Sequence, residues 1–167
     1  MFIQEADLFK GLNQETMNEI SKIMVQQSYA PGELLFAEGD PANYFYVLIE
    51  GRVRLSIGRL GEIDYTVSNS GEAFGWSSLV GREVYTAQAE CVTPCELIKI
   101  ERDSLDKVFQ RQPASGMLFF KGLAGAIGQR LIHTYNVFLS QRSPQLDSSY
   151  GTSQVTASIE EIGRAHV

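Results

Sequence analysis

Histidine is nearly absent from this sequence: it occurs only at His133 and His166. Without histidine before His133, a His-and-carboxylate metal cluster on the inner face of a small barrel is excluded. Haem and iron–sulfur centres fail for the same want of ligands, and no Ser–His–Asp or Cys–His arrangement finds support. Cysteine is as scarce, with only Cys91 and Cys95. Two thiols far from any histidine in sequence do not make up a metal site. They read as two small apolar residues at the end of a strand, and a disulfide is not expected in a cytosolic chain. Positive charge is in deficit, 14 Lys and Arg against 20 Asp and Glu, for a net −6. A nucleic-acid binder usually carries a basic face, so direct nucleic-acid binding by these residues is not expected. Small anions stay open as ligands if cations or amide donors concentrate locally. No apolar run approaches the roughly 18 residues of a membrane span. The opening MFIQEADLFKGL has no basic stretch ahead of an apolar core, so it is not a secretory signal and the expected compartment is the cytoplasm.

What is present suits a soluble globular domain. The 167 residues are 44% hydrophobic and 20% charged, enough for one domain with a real core and some extra chain. Residues 8–29 read as helical. Asn13 is a good N-cap, Glu15 sits in the first turn, and Met17, Ile20, Ile23 and Met24 recur at helical spacing. Pro31-Gly32 ends the segment. From Glu33 to Ile100 the pattern changes to short alternating runs: LLFA, YFYVLIE, VRLSIG, DYTVS, YTAQAECV and CELIKI. Gly39-Asp40-Pro41, Gly58 to Gly61 and Asn69-Ser70-Gly71 break them. A strand and turn every 8–12 residues or so marks a sandwich or barrel.

Helix returns after Glu101. Asp103 is placed to cap Ser104–Gln110, and Pro113 separates that helix from a longer one. There Met117, Phe120, Ala124, Ile127, Leu131, Thr134 and Phe138 alternate at three and four, an a/d seam. Gly122, Gly125 and Gly128 form a second stripe, each costing about 1 kcal/mol relative to Ala. Close approach of another backbone would offset that cost. The seam therefore predicts a homodimer through residues 117–138, with packing on the chain's own barrel as the alternative. Residues 141–160 are rich in Ser, Gln, Thr and Gly and read as a disordered tail. The closing IGRAHV matches what a common sequencing adapter encodes in frame, so 161–167 are set aside as an artefact.

The order of these elements resembles the cyclic nucleotide-binding domain, in particular the sensor half of Crp/Fnr-type regulators. The resemblance rests on LFKGL, GELLFAEGDPANYFYVLIEGRV, the FGxxxL start of a loop, CELIKI and the long helix, and covers 8–139. It implies an α+β, mainly β fold: a double-stranded β-helix, or jelly-roll-like β-roll. N-terminal helices and a long C-terminal dimerisation helix would flank it, with 1–140 as the domain. In the family a loop resembling FGELALxxxxxRSAT grips the ligand. Amides at a short helix start face the cyclic phosphate, the Glu accepts from the ribose hydroxyl, and the Arg forks onto phosphate oxygens. Here Phe74 and Gly75 match, Trp76 stands at the Glu position, Tyr85 at the Arg position, and Thr86 keeps the hydroxyl. Losing a desolvated cation–phosphate pair costs about 2–5 kcal/mol, roughly 30- to several-thousand-fold in affinity. Tight cyclic AMP binding in the usual geometry is therefore disfavoured.

The implied ligand-binding set is Phe74, Gly75, Trp76, Ser77, Ser78, Arg82, Tyr85, Thr86 and Ala87, with Thr134 where the family touches the ligand's base. Two rings, amides and hydroxyls suit a cyclic nucleotide or another small planar or anionic ligand. Arg82 is the candidate replacement cation, and the alternative for Trp76 and Tyr85 is that they fill and close the pocket. The expectation is a non-catalytic sensing module with a small-molecule ligand, no metal or other cofactor, and no membrane or direct nucleic-acid partner. Two alternatives stay open. One is a Crp/Fnr-type transcription regulator cut short before its helix-turn-helix, where SPQLDSSYGTSQ stands instead. The other is a ligand-free dimerisation module.

Overall fold

The computed structural model describes residues 6–58 and 63–142, whose contacts fall into two units, Met1–Ala124 and Gly125–Val167. The tail read at 141–160 and the adapter at 161–167 lie outside the described residues, except that Gln141 and Arg142 close the last helix.

Helix α1, Gln14–Ile23, begins at the predicted cap: the Asn13 side chain accepts from the Thr16 amide at 2.8 Å. A 3-10 turn, Asp7–Phe9, precedes it and buries Leu8 and Phe9. The helix stops sooner than its sequence predicts. Met24–Tyr29 is strand β1, pairing antiparallel with β8 from Met24↔Ile100 to Tyr29↔Cys95. Gln26 and Gln27 favour helix locally, but six residues of ladder override that preference. Seven more strands follow: β2 Leu34–Phe36, β3 Tyr44–Glu50, β4 Val53–Ile57, β5 Ile63–Val67, β6 Ala73–Phe74, β7 Gln88–Cys91 and β8 Cys95–Glu101. They form two antiparallel four-stranded sheets, ordered β1-β8-β3-β6 and β2-β7-β4-β5. This is the predicted mainly β roll, with β7 shorter than expected because Tyr85 and Thr86 belong to the preceding loop.

Strand β3 is buried on both faces, and its period of two divides two cores. Tyr46 and Leu48 join Phe36, Val53, Val67, Phe74, Ala89 and Leu97 between the sheets. Phe45 faces the helices, with its ring 6.5 Å from Phe9 and 5.9 Å from Phe119. Helix α2, Arg102–Arg111, starts one residue before the predicted Asp103 cap, and its cap position is Glu101. Glu101 accepts from the Ser104 hydroxyl at 2.6 Å.

Helix α3 runs Pro113–Arg142, and proline at its first position lacks only an amide that would be orphaned anyway. Within the first unit, Phe119 and Leu123 are fully buried and Phe109 lies 4.9 Å from Phe119. A Cβ on Gly116 would stand 3.0 Å from the Phe109 side chain, and one on Gly122 3.6 Å from the Asp7 carbonyl oxygen. The close approach at Gly122 is thus to the chain's own N-terminal segment. The helix start is pinned by a buried bond from the Thr16 hydroxyl to the Ser115 hydroxyl at 2.8 Å. No helix among the described residues is long and apolar enough to cross a membrane.

Gly51, after β3, adopts φ +104°, and a Cβ there would come within 2.7 Å of Cys95 Sγ and 2.9 Å of Cys95 Cα. Gly58, at φ +89°, faces open space. Gly51→Ala is expected to cost about 3 kcal/mol or more, combining strain and overlap. Gly58→Ala is expected to cost only the left-handed strain, about 1–2 kcal/mol. Urea melts of both variants check this, and equal losses would refute the overlap.

The Cys91 thiol is pushed up to about 12, first by burial and then by Cys95 beside it. Its ordinary value is about 8.5. The folded state therefore keeps a proton that the unfolded state loses. The stability this provides is complete below pH about 8.5 and falls as pH rises from there toward the folded value. Denaturant melts at pH about 8 to 10 are expected to lose stability more steeply in the native sequence than in Cys91→Ala. Parallel slopes would remove Cys91 as the source.

Candidate functional site

The segment between β6 and β7 is a loop that passes close to the start of β3 at both ends. At its start, β6 pairs with β3 through Tyr46↔Phe74 and Val47↔Ala73 and then stops. Gly75 turns the chain away in the left-handed region, φ 78° and ψ 31°. Only glycine fits there: a Cβ would stand 3.3 Å from both the Tyr44 carbonyl oxygen and Tyr46 Cδ2. A 3-10 turn follows, Trp76–Ser78. Its amides are used locally: Ser78 donates to Gly75, Leu79 and Val80 donate to Trp76, and Arg82 donates to Ser77.

The far end of the loop lies along the β2–β3 connection. Ala42 donates to the Glu83 carbonyl at 2.8 Å, Tyr85 donates to Asp40 at 2.9 Å, and Gly39 donates to Tyr85 at 2.9 Å. Pro41 and Val84 form an isolated antiparallel bridge. Asp40 accepts from the Ala37 amide at 2.8 Å, which closes the turn.

Tyr85 then turns inward. It is 4% exposed, and its ring stacks on Phe36 at 3.8 Å and 13°. Its hydroxyl accepts from the Tyr44 amide at 3.2 Å and donates to the Tyr44 carbonyl. The need for this bond follows from strand parity. Leu48 exchanges bonds with Glu72 and Gly71 on the β6 side of β3. Tyr46 and Tyr44, two and four residues earlier, point their amides and carbonyls the same way. At Tyr44 strand β6 has ended, and the phenol takes the place of the missing ladder. Burial first, then the nearby phenols, raises the Tyr46 hydroxyl far above its ordinary range. Burial likewise raises Tyr85, so both are neutral donors at physiological pH.

The other predicted residues divide. Phe74 is buried with its ring 5.3 Å from Tyr46, and Ser78 is buried with its hydroxyl donating to the Gly75 carbonyl at 2.9 Å. Both build the site from behind. Ser77 and Thr86 bring their hydroxyls to 3.5 Å across the mouth of the loop. Trp76 and Ala87 are half-buried, and Arg82 is exposed. The Arg82 carbonyl accepts from Arg102 at 3.4 Å, linking the loop to the start of α2. Thr134 belongs to the second unit, where it is exposed and its hydroxyl donates to the Arg130 carbonyl at 2.9 Å. The sequence reading missed Phe36 and Tyr44 as partners of Tyr85. Their alternation marks a strand, but nothing local signals a bond spanning 41 residues. Among the described residues, no group of three or more His, Cys, Asp and Glu side chains is placed to hold a metal.

With that geometry in view, known proteins supply the context. Residues 26–112 match the family model described as the cyclic nucleotide-binding domain. The chain is 27% identical over 111 residues to a cGMP-dependent protein kinase of Caenorhabditis elegans, covering 64% of this chain and 14% of the kinase. It is 29% identical over 126 residues to the cyclic AMP receptor protein of Thermus thermophilus, covering 74% of this chain and 56% of that one. The crystal structure of a protein assigned to cyclic nucleotide binding from Geobacter metallireducens superposes with a TM-score of 0.66 at 27% identity, over 74% of this chain and 91% of that one. The chain thus spans a seventh of the kinase and just over half of the receptor protein. Its roll, its loop after β6 and the match over 26–112 all agree: the chain belongs to the cyclic nucleotide-binding domain family, and its structural neighbours include proteins of Crp/Fnr type.

Proposed function

We propose that the chain is a ligand-sensing regulatory module of Crp/Fnr type, in which a small molecule at the 74–87 loop moves the long helix of a homodimer. The observation that carries this reading is the loop itself. It starts at a left-handed Gly75 and brings Ser77 and Thr86 together at 3.5 Å. The exchange of charged anchors for rings sets the ligand class. Tyr85 brings a neutral hydroxyl that is already bonded, so no guanidinium stands at the phosphate position. The reading is therefore of weak cyclic AMP affinity, and of preference for a planar ligand that hydrogen-bonds to hydroxyls. Arg82, exposed on the loop, is the remaining cation on this segment. Ligand moves the helix only if it binds one helix position better than the other. No catalytic role is assigned.

The second unit supports the dimer. Leu131, Tyr135 and Phe138 are about half exposed or more on one stripe of α3, a pattern that favours pairing with a second copy. The burial of Tyr85 favours a second reading, a ligand-free dimerisation module in which the ring fills the site.

Trp76→Glu with Tyr85→Arg is expected to raise cyclic AMP affinity by roughly 30-fold or more. Calorimetry on the folded double variant and on Trp76→Glu alone measures it, and no gain in either refutes the alignment of the loop. Native mass spectrometry of the purified protein separates a sensor, which retains or accepts a small molecule, from a ligand-free module. Leu131→Asp with Phe138→Asp is expected to shift sedimentation equilibrium from dimer to monomer while leaving the far-ultraviolet spectrum of the roll intact. A native chain already monomeric at micromolar concentration would refute the seam.

A further inference from the structure

We infer that Tyr85 is an internal tether, a positioning residue that fixes the 75–86 loop without a ligand. Three observations converge on it. The phenol binds both backbone polar groups of residue Tyr44, at the point where β6 stops supplying partners. A Cβ on Gly75 would stand 3.3 Å from the same Tyr44 carbonyl oxygen, so the start of the loop passes close to the group that Tyr85 binds. The backbone around Tyr85 is held as well, by Gly39 and Asp40 on either side of its own peptide units. Stacking on Phe36 seats the ring inside the roll, so the hydroxyl is presented by a rigid group.

A ligand that orders a loop spends part of its binding free energy on that ordering. Here the chain supplies the fastening itself. The loop holds one conformation whether or not a ligand is bound, and its opening is controlled by release of the phenol from Tyr44. This rests on the proposed function only for the statement that the loop is the ligand site. The tether itself is a property of the free chain.

Tyr85→Phe removes the bond and keeps the ring, so the variant retains its stack on Phe36. Amide hydrogen exchange is the measurement, on the full chain with and without millimolar cyclic AMP as the probe. Loss of a bond that satisfies two backbone groups is expected to speed exchange at Tyr44 and across 75–86 by about 10- to 100-fold. Exchange in Phe119 and Leu123 of α3 is expected to stay unchanged. In the native chain the probe is expected to add no protection to 75–86. Unchanged exchange at Tyr44 overturns the tether, and so does an equal rise throughout the first unit, which would mean lost core packing. Strong protection of the native loop by cyclic AMP overturns its independence from ligand. Failure to find any ligand, with fast exchange confined to the loop in Tyr85→Phe, refutes the sensing role and leaves the tether standing.

Discussion

The roll depends on β3 finding partners for every backbone group along its length. β8 supplies one edge throughout, from Tyr44↔Glu101 to Glu50↔Glu96. The other edge is divided. The turn after Asn69, then β6, serve Leu48 and Tyr46, and the Tyr85 side chain serves Tyr44. An uncovered edge at that point would leave two polar groups beside a largely aromatic core, where an unmet hydrogen bond costs about 1–3 kcal/mol. A tyrosine is well shaped for the position. It reaches across from the loop, buries a ring, and offers a hydroxyl that both donates and accepts.

The chain belongs to the cyclic nucleotide-binding domain family and keeps its roll with a tyrosine at position 85. The phenol joins the loop to the strand through neutral, short-range bonds.

Much of the fold was legible because its signals are local. The Asn13 cap, the glycine at 51 and the alternation in YFYVLIE and CELIKI each correspond to the element they predict. The strand at 24–29 was not legible. It is set by pairing with β8 some 70 residues away, and four of its six side chains are exposed, so it carries no apolar alternation. The extent of the loop was legible and its geometry was not. Residues 75–87 do connect β6 to β7, yet the inward turn of Tyr85 depends on Phe36 and Tyr44, which no spacing within the loop reveals. Within the loop, the amides of Ser78, Leu79, Val80 and Arg82 bond to the carbonyls of Gly75, Trp76 and Ser77.

The alternation of β3 has a mechanical side. Its even-numbered residues reach the loop, through Tyr44 and Tyr46, while Phe45 between them touches the ring of Phe119 at the root of α3. Neighbouring residues of one hydrogen-bonded strand thus meet the loop on one side and the phenylalanine cluster on the other, and both sides are closely packed.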